Sequence, residues 1–161
     1  MLLQSLIYNF TEFLQICKDS IQRKGISMQK ALLLNGGKAF YESGGRLSAT
    51  LQSVAKETLE SLGIKVLKTE IDKGYDDAQE AEKILQADCL IWQFPGWWMG
   101  EPYIVKEYID KVFMAGASTG KFITGDGRHR DNPTKNYGRG GLMRGKNISL
   151  ARLGMPLWRL L

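Results

Sequence analysis

Asp88-Cys89-Leu90-Ile91-Trp92-Gln93-Phe94-Pro95-Gly96-Trp97-Trp98-Met99-Gly100-Glu101-Pro102 is the stretch on which the reading of this chain turns. Its apolar run, residues 89–94, halts at Pro95-Gly96 as a buried strand of a parallel sheet does on entering a loop. Pro102 then opens a helix over residues 103–114, a position where a first-turn proline gives up no needed N–H. In open α/β sheets, ligands bind at the carboxyl ends of the strands. Here that end carries two adjacent tryptophans held between glycines and prolines. Such a slot, flat, aromatic and close to backbone N–H groups, suits a planar heterocycle. Core packing is the ordinary role of a tryptophan pair, but the place of this one on a loop points to binding.

The same grammar repeats on both sides of that stretch. Lys30-Ala31-Leu32-Leu33-Leu34-Asn35 is a short apolar strand that ends in Asn35-Gly36-Gly37, with a Gly-rich polar loop running on to Gly45. Leu47, Leu51, Val54, Thr58, Leu59 and Leu62 then keep helical spacing as far as Gly63, a natural C-cap. Residues 64–70 alternate as an outer strand. Residues 76–86 read as a short helix whose first-turn carboxylates sit at the positive end of its dipole. This succession predicts a doubly wound α/β fold with a mostly parallel sheet. Its strands fall near 30–35, 64–70, 89–94 and 146–150, with the first and third adjacent. From Gly116 to Lys146 the chain is Gly-, Asn- and Arg-rich with little periodicity, and connections of that length are usually functional.

A chain of 161 residues, 43% hydrophobic and 24% charged, is one globular domain. Its formal charge of +5 is less telling than its size, because residues 1–27 and 151–161 supply +3 of it. Cys17 and Cys89 make no disulfide framework, which points to a reducing cytoplasm. Residues 1–27 lack the basic start and unbroken apolar core of a signal peptide. They could form an amphipathic helix over residues 6–21, but its polar face is not Lys/Arg-rich as a membrane anchor requires. No stretch approaches the roughly 18 apolar residues of a membrane span. His129 is the sole histidine, so neither a metal cluster nor a serine triad is expected. Cys89, inside a strand, reads as an inert core thiol. The single Tyr137-Gly138-Arg139-Gly140-Gly141 run lacks the repetition of RNA-binding Arg-Gly segments, so nucleic acid is not expected as a partner.

Ser43-Gly44-Gly45-Arg46-Leu47-Ser48 is the phosphate candidate, since it occupies a strand-to-helix turn where unpaired N–H groups meet an anion. Ser43 and Ser48 offer hydroxyls, the glycines allow close backbone approach, and Arg46 adds charge. The loop lacks both the Lys-Ser/Thr of a P-loop and the spacing of a dinucleotide fingerprint, which argues against nucleotide triphosphate hydrolysis.

Taken together, these residues resemble the flavin-dependent NAD(P)H:quinone oxidoreductases, specifically the bacterial modulator of drug activity B type. The resemblance rests on residues 91–100, on Val105-Lys106-Glu107-Tyr108-Ile109-Asp110-Lys111-Val112-Phe113, on Asp126-Gly127-Arg128, Tyr137-Gly138 and Gly140-Gly141-Leu142, and on Gly145-Lys146. It runs from about residue 28 to residue 150. It implies a flavodoxin-like fold that binds FAD (FMN being the alternative), takes electrons from NAD(P)H, reduces a quinone by two electrons and works as a homodimer. Ser43, Gly44, Gly45, Arg46, Leu47, Ser48, Ala49 and Thr50 would then hold the FAD diphosphate and adjoining groups. Pro95, Gly96, Trp97, Trp98 and Met99 would line the isoalloxazine ring, and Tyr137 would approach the flavin or the substrate. Position 44 is Gly and position 46 is Arg where relatives can carry Asn and Gln. No side chain is singled out as a catalytic acid or base, and no metal is implied. A flavodoxin-type electron carrier using FMN and a non-catalytic remnant are the competing readings.

At both ends the chain departs from that resemblance. The family pattern continues from the fourth strand into a Thr-x-Asn-Ala-Pro segment, whereas residues 151–161 here do not. Residues 154–161 can be back-translated so that the string, read two bases later, encodes Asn-Ala-Pro-Leu-Glu-Ala-Phe. A frameshift close to codon 150 is the expectation, leaving residues 151–161 as an aberrant tail and an impaired enzyme. Likewise, Arg23-Lys24-Gly25 can be encoded as a ribosome-binding stretch ahead of Met28. The expectation is that residues 1–27 form an extension outside the fold of residues 28–150.

Overall fold

The computed structural model describes residues 2–23, 25, 27–41, 44–98 and 100–153. Expectations placed on Ser43, Met99 and residues 154–161 lie outside the described residues. Four parallel strands, β1 (Lys30–Asn35), β2 (Lys65–Glu70), β3 (Cys89–Pro95) and β4 (Asn147–Leu153), form one sheet in the order β2-β1-β3-β4. The first and third strands are adjacent, as expected, with Asn35 opposite Gln93 at their carboxyl ends. Helix α2 (Arg46–Ser61) links β1 to β2, α3 (Asp77–Gln86) crosses back to β3, and α4 (Tyr103–Ser118) leads towards β4. Right-handed crossovers place α2 on one face of the sheet and α3 and α4 on the other.

Two cores follow from the period-two alternation of buried strands. Leu32, Leu34, Leu90, Trp92 and Phe94 pack against Ile84 of α3 and Ile104, Val105, Tyr108 and Val112 of α4. Ala31, Leu33, Cys89 and Ile91 point the other way, onto Leu51, Ala55 and Leu59 of α2. Asp76 caps α3, its Oδ1 accepting from the Gln79 N–H at 2.8 Å. That side-chain cap fixes the start one residue inside the expected 76–86.

The structure departs from the sequence reading at the first helix. Helix α1 (Leu2–Arg23) lies beside α2 and sends Phe10, Leu14 and Ile21 into the core shared with Leu51, Ala55 and Leu59. Residues 1–27 were expected outside the fold. Four strands about 4.8 Å apart present a face wider than one helix of about 10–12 Å can cover, and α1 offers one apolar stripe for the remainder. Two boundaries also move. Helix α4 runs four residues past the expected 114, with Gly116 placed where the Phe122 ring leaves no room: an added Cβ would stand 2.4 Å from it. Strand β4 continues to Leu153, three residues past the expected 150 and into the segment read as an aberrant tail.

Candidate functional site

Strand order reverses between β1 and β3, and at their carboxyl ends the loops after these strands are bound together. The Gly36 N–H donates to the Gln93 carbonyl at 2.8 Å, so the first loop leaves β1 pressed against β3. Glycine is needed there, since a Cβ would stand 2.3 Å from a Val105 methyl. The Gly37 N–H then donates to Asn35 Oδ1 at 2.8 Å, which turns the chain across the sheet edge. Further on, the Phe40 ring lies 4.4 Å from the Trp97 ring, tilted by 31°, with Tyr41 edge-on to Phe40 at 4.7 Å. Reciprocal hydrogen bonds of 2.9 and 2.8 Å between Trp97 and Gly100 pinch the second loop, with Trp98 next to the pinch.

Tyr41 and Trp98 hold left-handed backbone conformations, with φ of 49° and 41°. Their side chains are 93% and 94% exposed. Bulky residues adopt that region rarely, and such strain gathers at functional sites. One conformation of this kind stands in each of the two loops, and both rings are turned outward.

Between these loops begins α2. Its N-cap is Gly45, at φ 69° and without a capping side chain. A helix leaves its first N–H groups without backbone partners, and the glycine N-cap of α2 supplies no side chain to meet them. Gly44, Arg46, Leu47, Ala49 and Thr50 are exposed around it, and the Thr50 hydroxyl is spent on the Arg46 carbonyl at 3.0 Å. Ser48 turns inward instead, its Oγ 2.7 Å from where a Cβ on Gly37 would stand. Lys38 joins the edge together: it pairs with Asp72 beyond β2 and lies over the Tyr103 ring at the head of α4, 5.9 Å from its centre. The Asp72 carboxylate holds the Lys38 ammonium above its ordinary range.

Two groups of buried polar side chains escaped the sequence reading. Glu80 of α3 is buried on the α4 side. Its Oε2 accepts from Thr69 Oγ1 at 2.7 Å and from the Tyr108 hydroxyl at 2.8 Å, and its Oε1 accepts from Lys83 Nζ at 2.5 Å. Burial, and then the neighbouring Glu80 charge, push the Tyr108 hydroxyl far above its ordinary range. Tyr75 and Trp92 meet the Tyr108 ring at 4.8 and 5.5 Å. On the α2 side, Gln52 and Gln93 are fully buried, yet among the described residues no hydrogen bond reaches either carboxamide. Gln93 was visible as a polar residue in an apolar run; nothing in the sequence marked Gln52 or Glu80.

The remaining expected residues make local contacts. Tyr137 is exposed in the long loop, with the Arg128 guanidinium 5.2 Å from its ring centre; Phe40 is the residue the structure brings to Trp97. His129 is exposed, its carbonyl accepting from the Asn132 N–H at 3.1 Å. Cys89 is a free, buried thiol pushed up to about 11 by burial. Burial likewise raises Cys17, whose Sγ accepts from Ser149 Oγ at 3.2 Å. Among the described residues no group of three or more His, Cys, Asp or Glu side chains is placed to hold a metal, and no helix is long and apolar enough to cross a membrane.

Comparison with known proteins agrees with this architecture. Residues 28–152 match the family described as having a flavodoxin-like fold. Over 120 residues the chain is 53% identical to the NADPH:quinone oxidoreductase MdaB of Haemophilus influenzae, covering 74% of this chain and 62% of that protein. Over 114 residues it is 51% identical to an uncharacterized Schizosaccharomyces pombe protein, covering 71% of this chain and 57% of that one. The chain thus spans about three fifths of the length of these relatives. A solved Klebsiella pneumoniae structure, provisionally assigned as a quinone reductase, superposes with a TM-score of 0.60 at 24% identity, over 80% of this chain and 60% of that one, and shares the fold. This chain belongs to the flavodoxin-like family.

Proposed function

We propose that this member of the flavodoxin-like family is an FAD-dependent NAD(P)H:quinone oxidoreductase, with its flavin at the joint carboxyl edge of β1 and β3. The observation that carries the reading is the pairing, at one switch point, of the glycine-capped head of α2 with an exposed aromatic group from both flanking loops. An anion site beside a flat aromatic surface matches the two halves of a flavin nucleotide: its phosphates and its ring. The 53% identity to a quinone oxidoreductase supports the same assignment.

In this reading residues 44–50 surround the diphosphate, which is held by the free N–H groups in the first turn of α2, with Ser43 adding its hydroxyl. Pro95, Gly96, Trp97 and Trp98 flank the ring with Met99, and Phe40 backs Trp97 so that the aromatic wall keeps its place. Tyr137 approaches the electron donor or the quinone. When bound, FAD supplies the two-electron carriage between nicotinamide and quinone, while the protein binds, orients and excludes water. The exposed Trp98 and Tyr41 leave surface for a second copy to close over, in keeping with a homodimer, and two free thiols suit a cytoplasmic protein.

Denaturing the purified chain and identifying the released flavin tests this directly, alongside NAD(P)H oxidation with a water-soluble benzoquinone. FAD together with quinone-dependent turnover is the expected result. FMN without quinone turnover would make the chain a flavodoxin-type electron carrier, and no flavin at all would make it a non-catalytic member of the family.

A further inference from the structure

The connection that leads from α4 to β4 is strongly basic. Residues 119–146 hold seven Lys and Arg against two Asp, a net +5, which equals the charge of the whole chain. Within this connection lies a cavity of about 400 Å³, lined by Thr124, Asp126, Arg128, His129, Asn136 and Arg139 with glycines between them.

Its walls are tightly built. The Thr124 N–H donates to the Gly140 carbonyl at 2.9 Å and the Gly138 N–H to the Asp126 carbonyl at 2.7 Å. A Cβ on Gly140 would stand 2.0 Å from the Gly125 carbonyl oxygen, and one on Gly127 would stand 2.5 Å from that of Asn136, so only glycine permits the two sides to close. Gly125, Gly127 and Gly138 all hold positive φ.

The charges around it are divided unequally. Asp126 spends its carboxylate on Arg128, accepting from Nε at 2.7 Å, from Nη2 at 2.5 Å and from the Arg128 N–H at 2.9 Å. Among the described residues, the Arg139 guanidinium has no carboxylate partner. Arg144 donates to the Arg139 carbonyl at 3.2 Å, bringing another cation to the same turn. The Thr124 hydroxyl is spent on the Gly140 carbonyl at 3.3 Å, which leaves a planar guanidinium beside imidazole and amide donors, a set that grips phosphate oxygens, each charge-assisted bond being stronger than a neutral one.

We propose that this cavity is a phosphate-monoester site, and that its occupant is the 2′-phosphate of the nicotinamide donor, held chiefly by Arg139 with Arg128. NADPH and NADH differ only in that group, so the site would set the preference for NADPH. This inference rests on the oxidoreductase reading for its occupant, but the binding itself does not.

Titration of the full chain with 2′,5′-ADP and with 5′-ADP tests it, using wild type and Arg139→Gln. The expected result is tighter binding of 2′,5′-ADP, weakened by salt and reduced about tenfold or more in the variant, as loss of one charge-assisted contact implies. In turnover, Arg139→Gln raises KM for NADPH by a similar factor and leaves KM for NADH and kcat unchanged. Arg139 is exposed, so the variant keeps the fold, and an unchanged thermal midpoint confirms that. Equal binding of the two nucleotides, competition by inorganic phosphate as tight as 2′,5′-ADP, or an unchanged NADPH KM would overturn the proposal. Arg139-dependent binding of 2′,5′-ADP in a chain without quinone turnover would uphold the site and refute the oxidoreductase reading instead.

Discussion

The two faces of the sheet treat buried polarity in opposite ways. On the α3–α4 face, Glu80 is buried but fully engaged, accepting from Thr69, Tyr108 and Lys83. Across the sheet, beneath the head of α2, Gln52 and Gln93 are just as deeply buried and find no partners among the described residues. A satisfied buried network rigidifies the structure around it, whereas an unsatisfied amide costs stability. The α3–α4 face therefore acts as the anchor of the fold. The α2 face gives up stability near the edge where both flanking loops and the glycine-capped helix meet, which agrees with the flavin site proposed there.

The largest effect should come from breaking the anchor. Glu80→Ala strands the Tyr108 and Thr69 hydroxyls and the Lys83 ammonium, and should cost about 3 kcal/mol in urea denaturation, the range for removing one partner of a buried charged group. A loss below about 1 kcal/mol would mean that the network is not the anchor described. Next, Gly45→Ala forces a Cβ into φ 69°. It should cost about 1–2 kcal/mol and weaken flavin binding as well, because the strain falls on the N–H groups proposed to hold the diphosphate.

The third change should move stability the other way. Gln93→Leu removes a buried amide that has no partner among the described residues and keeps the volume, so a gain of about 1 kcal/mol is expected. If the variant is instead destabilised as much as Glu80→Ala, the two faces are alike and the comparison fails. The smallest effect concerns Cys89, whose thiol is raised from 9.0 to about 11 by burial. The fold favours the neutral thiol, so its contribution is complete below pH 9 and is lost as pH rises through about 11. Denaturation curves at pH 9 and pH 11 should show a steeper fall for wild type than for Cys89→Ala, and equal falls would contradict the burial of this thiol.

Legibility in the sequence followed the range of the interactions involved. β1, β2, β3 and the two helices between them were readable within a residue or two, because their apolar periods and their Gly and Asp boundaries are local. Glu80 was not: in sequence it is one carboxylate of an acidic helix start, and only Thr69 and Tyr108, 11 and 28 residues away, make it a core residue. The same holds for α1, whose amphipathic stripe was visible while its docking beside α2 was not. At the joint edge of β1 and β3, the glycine loop and the tryptophan pair announced themselves by composition. The backing of Trp97 by Phe40, and the left-handed backbone at Tyr41 and Trp98, are tertiary facts with no local signature.

The central claim is that the joint edge of β1 and β3 holds the flavin, and titration of FAD into the full chain, followed by quenching of tryptophan emission, tests it most directly. The expected result is saturable binding of one FAD per chain, weakened about tenfold or more by Gly45→Ala, a loss of roughly 1.4 kcal/mol, and unaffected by Arg139→Gln. FAD that does not bind, or that binds Gly45→Ala as tightly as wild type, would contradict it.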